Sequence, residues 1–322
     1  MTDVLGRLTA ADLPALVTRL GFRGADVEAV LASAGAVTQS QPDLERVTAL
    51  VGRLLPLIGQ LDSDTENPLE LPGPPADHLG VGVLPLLALL VTAPDVARFH
   101  AGRGIAEEVS WASLADLGQQ AWVHRQTYGE FGLHTYGWMR IAWSGALYWL
   151  GRLQFNLQRD DGGWVLSTHI PATGPLAPAA ADDSFRQARD FFARHFADYP
   201  TADFHCASWL LDPDLAAALP ADSNMAKFQR RWRLYGEPMR GDGDVLFFTF
   251  FRRGDVDLAT LPQRTTLQRV IVDRLRSGGH WNVWQGRLSQ SAISLAPSSP
   301  LPTPPPTTAQ PAPRPPRIES QP

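Results

Sequence analysis

Cysteine and lysine are almost absent from this chain of 322 residues. Cys206 is the sole cysteine, which excludes an intramolecular disulfide and a metal site built from several thiolates. Lys227 is the sole lysine, so the 28 residues that are Lys or Arg, less this one, leave 27 arginines. With the abundance of Ala, Pro and Gly, this bias is typical of a GC-rich bacterial genome. The lone thiol fits a reducing cytoplasm.

Excess positive charge and long hydrophobic runs are also missing. The net charge is −5 and the pI is near 5.9, which argues against nucleic acid or an anionic membrane surface as the main partner. Residues 1–20 hold acidic and basic side chains and no long apolar core, so no signal peptide is expected. The most apolar run, residues 79–91, contains Pro85 and is shorter than the ~20 residues of a membrane span, which predicts a buried helix.

The first 134 residues are predicted to be helical. Thr9 and Asp12 are spaced as in a capping box, which predicts a helix over residues 10–20, and Ser40 and Asp43 predict the start of a longer helix. The apolar side chains of this longer helix recur at helical spacing: Leu44, Val47, Leu50, Val51, Leu54, Leu55, Ile58 and Leu61. Helices are also predicted over residues 79–99 and 111–124, and an acidic, Pro-rich loop over residues 62–78.

Strand patterns begin near residue 135. Residues 151–158 alternate apolar and polar side chains, which predicts a half-buried strand with Arg152 and Gln154 on its polar face. In the next strand, Ser167 and His169 share one face because side chains alternate. A hairpin turn is predicted at 161–163, between these two strands, and the second strand is followed by a helix from a Ser184–Gln187 capping box to residue 196 and by a buried strand at 204–210. Next are a helix opened by Asp212-Pro213, another opened by Ser223 or Asp222, a buried strand at 245–251, and a last helix opened by a Thr265–Gln268 capping box.

The fold class is therefore predicted to be α+β. An all-helical N-terminal domain (1–134) precedes a C-terminal domain with a mixed sheet (135–291) and a Pro-rich tail (292–322). The tail has almost no apolar bulk and cannot offset its ordering entropy, so it is predicted to be disordered. A solubilising role is favoured over binding to a partner that recognises polyproline helices.

His169 is the first candidate for chemistry. It ends a strand directly before the loop PATGPL, where a histidine can act as a base near neutral pH or be a structural, hydrogen-bonded strand end. Gly174 lies in this loop, which either offers backbone N–H groups to a phosphate or forms a plain turn. Asp182 and Asp183 flank the predicted helix start, where they would repel a pyrophosphate.

His205 and Cys206 are adjacent in one strand and point to opposite faces, so they are not expected to form a catalytic pair. Cys206 is predicted to be a buried core thiol. Trp209 and Asp212 end this strand, and Asp212 is expected to cap a helix rather than act as an acid.

Two further polar pairs leave alternatives open. Ser223 and Asn224 either cap a helix or point into a cleft, and Arg152 and Gln154 either lie on an exposed strand face or contact a substrate. The sequence has no metal-binding spacing, Walker loop, dinucleotide fingerprint or nucleophile elbow, so no metal site is expected.

Taken together, these stretches resemble a bacterial family of two-domain acyltransferase-like proteins. Its members join an all-helical N-acyltransferase N-terminal domain to a GNAT-like C-terminal domain. The resemblance covers residues 80–288, and the first 75 residues in character only. The matching residues are Gly104-Ile105, Asp116, Tyr128-Gly129-Glu130-Phe131-Gly132-Leu133, Leu150-Gly151-Arg152-Leu153-Gln154-Phe155, His169-Ile170-Pro171, Gly174-Pro175-Leu176, Ser208-Trp209-Leu210-Leu211-Asp212-Pro213, Leu219-Pro220, Ser223-Asn224, Phe228-Gln229, Thr266-Leu267-Gln268-Arg269 and Gly278-Gly279.

The resemblance implies a GNAT-like, mostly antiparallel sheet flanked by helices, with acyl-CoA bound where the strands of His169 and Cys206 splay apart. The CoA pyrophosphate would lie on the following loop and helix N-terminus, and a backbone N–H near Ser208 would polarise the thioester oxygen. The residues implied for acyl-CoA are Thr173, Gly174, Leu176, Ser184 and Ser208. The candidates for substrate contact are Arg152, Gln154, His205 and Trp209.

The chain departs from the superfamily in two ways. The Arg/Gln-x-x-Gly-x-Gly/Ala loop is absent, and no glutamate occupies the strand position where a base is often found, so that His169 is the nearest candidate. The leading hypothesis is a cytoplasmic N-acyltransferase with acyl-CoA as cosubstrate and no tightly bound cofactor. In it, a small amine attacks the thioester directly, His169 removes the amine proton, and Ser223 or Asn224 orients the substrate or protonates the thiolate.

Two alternatives remain open at this point. A GNAT-like fold that binds a small molecule or a partner without catalysis would explain the missing phosphate loop. A hydrolase that uses Cys206 as its nucleophile is the weaker of the two.

Overall fold

The computed structural model describes residues 3–61, 76–160 and 162–293. The predicted acidic loop lies outside the described residues except for 76–78, and the predicted disordered tail lies outside them from residue 294 onward. The described chain starts with a helical region. Its elements are α1 (Val4–Leu8), α2 (Leu13–Arg19), α3 (Ala25–Thr38), α4 (Gln41–Leu54), β1 (Ala76–Asp77), β2 (Gly80–Val81), α5 (Val83–Gly102), α6 (Glu107–Leu114), α7 (Asp116–Tyr128) and α8 (Tyr136–Trp143).

The helix predicted over residues 10–20 is wrong at its start. The Thr9 hydroxyl donates back to the carbonyl of Leu5, so Thr9 ends α1 instead of opening α2. Helix α2 begins at Leu13, after Asp12 and with Pro14 in its first turn. Thr9 and Asp12 have the spacing of a capping box whether the threonine opens the second helix or ends the first. The sequence pattern alone does not distinguish these two cases.

The two longest predicted N-terminal helices are present, with other bounds. Helix α4 follows Ser40 and has Pro42 in its first turn, but it ends at Leu54, so the last three residues of the predicted stripe lie beyond it. Within the helix, Val47, Leu50, Val51 and Leu54 are buried. The apolar run near residue 85 forms α5, which starts at Val83 and lies in the middle of the helical region. Within the described residues, α5 is the one helix long and apolar enough to cross a membrane. Because 72% of its apolar window is buried inside the protein, it has the character of a core helix.

The second half of the chain is built on a six-stranded sheet with the order β3-β4-β5-β6-β8-β7. Only the β5–β6 pair is parallel, so the predicted mixed, mostly antiparallel sheet is confirmed. The strands are β3 (Leu147–Leu150), β4 (Leu153–Asp160), β5 (Gly163–His169), β6 (Thr201–Ser208), β7 (Arg233–Arg240) and β8 (Asn282–Ser289). The helices between them are α9 (Pro178–His195), α10 (Pro213–Ala218), α11 (Asn224–Gln229), α12 (Asp242–Phe250) and α13 (Thr266–Arg276).

The capping box predicted at Ser184 is wrong, because α9 starts six residues earlier at Pro178. Ser184 lies inside the helix and is fully buried. Its hydroxyl donates to the carbonyl of Ala180 (2.9 Å) and accepts from the backbone N–H of Arg152 (2.6 Å). Gly151, with φ of +69°, permits this close approach, because a Cβ there would lie 2.7 Å from the Ser184 oxygen.

The strand predicted over residues 245–251 is also wrong, because this run forms α12. A short apolar run fits a buried strand and a buried helix equally well. Asp242 and Asp244 in the first turn favour the helix, since they interact with the positive end of its dipole. At helical spacing, Val245 and Phe250 point into the core while Phe248 is 58% exposed.

The two faces of the sheet pack against different parts of the chain. On one face, Phe155 of β4 packs with Phe204 of β6 and Phe185 of α9. The alternate side chains of β4, Gln154 and Asn156, were predicted to form the polar face of a half-buried strand. They are only 4% and 2% exposed, because the helical region covers this face.

Direct contacts join the helical region to the sheet and its helices. Arg103, just after α5, forms a two-pronged ion pair with Asp198 (2.7 and 3.0 Å). The backbone N–H of Trp149 in β3 donates to the Ser113 hydroxyl of α6 (3.0 Å). These contacts, from the end of α5 and from α6, hold the helical region against the sheet.

Candidate functional site

The β5–β6 pair opens at one end. Its last paired residues are Ser167 and His205, although β5 continues to His169 and β6 to Ser208. On its other side β6 stays paired with β8 as far as Ser208. Within the described chain, the ladder between β5 and β6 thus ends before either strand does, as expected for strands that splay apart.

His169 sits at this opening with one ring nitrogen already engaged. Its Nε2 lies 2.6 Å from Oδ1 of Asn156 in β4, and because an amide oxygen can only accept, Nε2 must carry the proton. The Asn156 amide is itself oriented by donating to the carbonyl of Leu157 (2.8 Å). The Nδ1 of His169 is therefore the nitrogen with a lone pair.

The environment of His169 keeps its ring uncharged. Burial lowers the pKa of His169 to about 4, and the neighbouring His205 ring acts in the same direction. At neutral pH the imidazole is therefore neutral and can accept a proton at Nδ1. A neutral ring with a free lone pair at Nδ1 is the form of histidine that a general base requires.

Side chains from three elements surround this ring. Trp138 of α8 packs against it at 4.6 Å in an edge-to-face arrangement (78°), and Gln154 is its cross-strand neighbour in β4. The Trp138 indole N–H donates to the buried carboxylate of Asp116, the first residue of α7. Sequence reasoning assigned no role in the site to Asn156, Trp138 or Asp116. The Gln154–Asn156 alternation was a usable signal, since both side chains must share the face of His169.

His205 lies on the same sheet face, one strand further along. It is paired with Ser167 in β5 and with Arg287 in β8, and its ring is 5.9 Å from that of Tyr235 in β7. Burial lowers the pKa of His205, while the charge of Asp160 opposes this change and that of Arg287 adds to it. Of the predicted substrate residues, the structure thus brings Gln154 and His205 to the side of His169.

The loop after β5 runs over the surface to α9. Thr173 and Gly174 are exposed, whereas Leu176 is buried in the core beneath. Arg152 lies in the turn before β4 and not on the strand face, and its guanidinium donates to the carbonyls of Gly174 (2.8 Å) and Pro175 (3.2 Å). Arg152 therefore holds the shape of this loop.

The start of α9 is better suited to an anion than the sequence indicated. Its first turn consists of Pro178 and three alanines after Ala177, a residue without a capping side chain. Asp182 and Asp183 lie in the second turn and are paired, Asp182 with Arg231 (2.8 Å) and Asp183 with Arg186 (3.0 Å). The repulsion expected from these two carboxylates is therefore largely neutralised.

The remaining predicted site residues have structural contacts of their own. The Ser208 hydroxyl accepts from the N–H of Leu210 (3.1 Å), and Trp209 packs in the apolar core around Trp281. Ser223 caps α11 by accepting from the N–H of Ala226 (3.3 Å), with Asn224 as the first helical residue. Among the described residues, no hydrogen bond or ring contact joins these four side chains to His169, and their catalytic or binding roles stay predictions.

Cys206 is a core thiol, as predicted. It is 1% exposed, on the opposite sheet face from His205, and burial raises its pKa to about 12. A thiol that stays protonated at neutral pH is a poor nucleophile, which argues against the hydrolase alternative. Asp212 caps α10 by accepting from the N–H of Asp214 (3.0 Å), also as predicted. Residues 3–61, 76–160 and 162–293 contain no cluster of three or more His, Cys, Asp or Glu side chains that could hold a metal ion.

Two family models match consecutive parts of the chain. An N-acyltransferase N-terminal domain matches residues 11–145, and a GNAT-like C-terminal domain matches residues 147–288. No curated protein matches the chain.

Solved structures of acyltransferases match most of the chain. One, in complex with decanoyl-CoA, is 36% identical and has a TM-score of 0.74, with 85% of this chain and 86% of that chain covered. A second, in complex with CoA and 10C-teicoplanin, is 35% identical with a TM-score of 0.76 and coverage of 87% and 88%. A third, in complex with decanoyl-CoA and teicoplanin, is 36% identical with a TM-score of 0.75 and coverage of 86% and 87%. The chain therefore belongs to the family of acyltransferases that join an N-acyltransferase N-terminal domain to a GNAT-like C-terminal domain.

Proposed function

We propose that this protein transfers an acyl group from acyl-CoA to an amine. The observation that carries the proposal is the neutral His169, oriented by Asn156 at the end of β5 where β5 and β6 part. The similarity of the chain to acyltransferases in complex with decanoyl-CoA and CoA supports acyl-CoA as the cosubstrate.

The reaction needs one base and no covalent enzyme intermediate. The lone pair of the amine attacks the thioester carbonyl carbon, the new C–N bond forms, and the carbonyl oxygen becomes an oxyanion. Nδ1 of His169 takes the proton that the amine nitrogen loses. When the C–S bond breaks, the CoA thiolate leaves and takes up a proton, so the products are an amide and free CoA.

The oxyanion and the CoA pyrophosphate need donors at separate places. A backbone N–H of β6 near Ser208 is our candidate for the oxyanion, because β6 continues there beyond its ladder with β5. For the pyrophosphate we favour the loop at Thr173 and Gly174 together with the backbone N–H groups of Ala179 and Ala180 in the first turn of α9. This shifts the proposed contact from Ser184, which is buried, to the N-terminus of the helix.

The acceptor is proposed to be an amine-bearing molecule such as teicoplanin. Two similar acyltransferases form complexes with teicoplanin or 10C-teicoplanin. Because acyl-CoA is an intracellular metabolite, this function fits the expected cytoplasmic location in a bacterium. The division into domains at residues 1–134 and 135–291, with a tail at 292–322, remains part of this proposal.

The proposal is tested by binding and transfer in one set of measurements. Thermal denaturation with CoA and decanoyl-CoA should show stabilisation, by about 2.7 kcal/mol when the ligand reaches 100 times its Kd. Mass spectrometry of a reaction with decanoyl-CoA and a panel of amines, including teicoplanin, should show a decanoyl amide and an equal amount of free CoA. Stabilisation by CoA with no amide from any amine would favour the non-catalytic alternative. No stabilisation at millimolar CoA would reject acyl-CoA as the ligand.

A matched pair of glycine variants tests where CoA binds. Gly174→Val places a branched side chain at φ of +121° in the exposed loop, which should distort the loop and weaken CoA binding. Gly236→Val makes the same type of change at φ of +71° in β7, also in open space, and should leave CoA binding unchanged. Equal CoA affinity in both variants would exclude the loop as the phosphate site.

A further inference from the structure

We propose that Asp116 is a positioning residue for the transfer reaction, which holds in place two side chains that flank His169. The inference rests on the proposed function, in which His169 is the base. Asp116 belongs to α7 of the helical region, whereas His169 belongs to the sheet. The helical region would therefore help to build the catalytic centre as well as cover it.

The Asp116 carboxylate is buried, and its hydrogen-bond donors among the described residues are all uncharged. It is 3% exposed, and the indole N–H of Trp138 donates to its Oδ2. The side-chain amide of Gln120 donates to its Oδ1 (3.3 Å), and Gln154 also donates to this carboxylate. Burial raises the pKa of Asp116, and the hydrogen bonds from Trp138, Gln120 and Gln154 act in the opposite direction.

Two of these donors contact or face the catalytic ring. Trp138 packs edge-to-face with His169 at 4.6 Å, and Gln154 lies directly opposite His169 in the β4–β5 register. Asn156, the next residue on the same face of β4, holds Nε2 of the ring. The ring is therefore fixed by one direct hydrogen bond and by two neighbours whose own positions depend on Asp116.

The size of the effect follows from how strictly a base must be placed. A proton acceptor works only within hydrogen-bond reach of the reacting nitrogen, and displacement by ~1 Å can cost about 100-fold in rate. In Asp116→Asn one of the two carboxylate oxygens is replaced by an NH2 group, which donates and cannot accept. Either the Trp138 indole N–H or the Gln120 amide on the other oxygen then faces a donor instead of an acceptor, so the side chains around Asp116 shift. His169 would then lose part of the packing that limits its rotation.

The test compares Asp116→Asn with a matched buried carboxylate. Asp26 is 2% exposed, lies in the first turn of α3 and is paired with Arg125 (2.6 Å), so Asp26→Asn makes the same chemical change in the same region. We expect Asp116→Asn to lower kcat by about 100-fold while the KM for acyl-CoA stays within about twofold. Asp26→Asn should lose stability and keep kcat.

Trp138→Phe provides a second variant, because it removes the N–H donor and keeps an aromatic ring. If Asp116 acts through Trp138, the double variant that combines Asp116→Asn with Trp138→Phe should be no slower than the slower of the two single variants. If Asp116→Asn does not fold, the kcat of Trp138→Phe alone tests the inference, and a wild-type value would overturn it. Additive losses in a folded double variant would also overturn it.

A readout without turnover separates this inference from the proposed function. In protein labelled with 15N-histidine, the His169 ring signals should move in Asp116→Asn and stay fixed in Asp26→Asn. Unchanged His169 signals in Asp116→Asn would reject the positioning role whether or not the wild type transfers acyl groups. If the wild-type protein makes no amide but the His169 signals do move in Asp116→Asn, the proposed function is rejected and the positioning role of Asp116 is kept.

Discussion

His100 should make the fold sensitive to acid. The residue is fully buried near the end of α5, with Nδ1 at 2.8 Å from the Ser110 hydroxyl and the ring 5.0 Å from that of Tyr148. Among the described residues, Nε2 of His100 has no hydrogen-bond partner. A second proton on this ring would therefore be a buried charge without a counterpart, and burial lowers the pKa of His100 to about 4.

The sign and the size of the effect follow from proton linkage. The folded pKa is depressed below the unfolded value of about 6.5, so the stabilisation is complete above pH ~6.5 and is lost as the pH falls toward 4. At about pH 5 the unfolded ring is nearly all protonated and the folded ring about one-tenth, so unfolding takes up about 0.9 proton. The corresponding slope is about 1.2 kcal/mol per pH unit, and the full contribution is about 3 kcal/mol.

Urea denaturation between about pH 7 and 5 measures this slope directly. We expect His100→Asn to be less stable than the wild type at neutral pH, because a buried ring is lost. Its free energy of unfolding should depend less steeply on pH, since near pH ~5 unfolding of the variant takes up about 0.9 proton fewer. Leu5→Ala is the control, since it changes an exposed side chain that does not titrate, and its slope should match the wild type. Parallel curves for His100→Asn and the wild type would refute the reasoning.

Three other outcomes are expected. Phe155→Ala removes a fully buried ring packed against two others, and should lower the free energy of unfolding by about 3–5 kcal/mol. Leu5→Ala, at a side chain that is 44% exposed, should lower it far less. Equal losses in the two variants would contradict the packing described. The Cys206 thiol should resist alkylation in the native protein at neutral pH, because it is buried with a pKa of about 12; rapid labelling without loss of structure would show that it is accessible. Thr265→Ala should cost about 1 kcal/mol, since both hydrogen bonds of the α13 capping box are formed; an unchanged melting temperature would show that the cap does not contribute.

Much of the fold could be predicted because its signals are local. Thr265 and Ser223 cap helices where the sequence placed them, and Asp212 with Pro213 opens α10. The start of α9 was missed although Pro178 is a strong signal for a first helical turn. The run that forms α12 was misassigned because an unbroken apolar stretch has no period that distinguishes a buried helix from a buried strand.

The surroundings of His169 could be predicted only in part, for a physical reason. Alternation along each strand put Gln154 on the polar face of its own strand and His169 on one face with Ser167, and the strand register makes these one face of the sheet. Trp138 and Asp116 could not, because they come from helices that reach His169 only through tertiary packing. For the same reason the polar face of β4 was expected to be half exposed, since no local pattern tells which part of the chain will cover it.

The rate of acyl transfer by His169→Gln decides whether His169 is the base of the reaction. Glutamine can still donate from its amide nitrogen to Asn156, so the variant should fold and bind decanoyl-CoA as the wild type does, but it has no basic nitrogen. We expect the transfer rate to fall by about 10²–10⁴-fold, or about 3–5 kcal/mol of barrier, with an unchanged thermal shift on adding decanoyl-CoA. His280→Gln, at a half-exposed histidine, should keep the wild-type rate. A folded His169→Gln variant that transfers the acyl group at a near-normal rate would contradict the account.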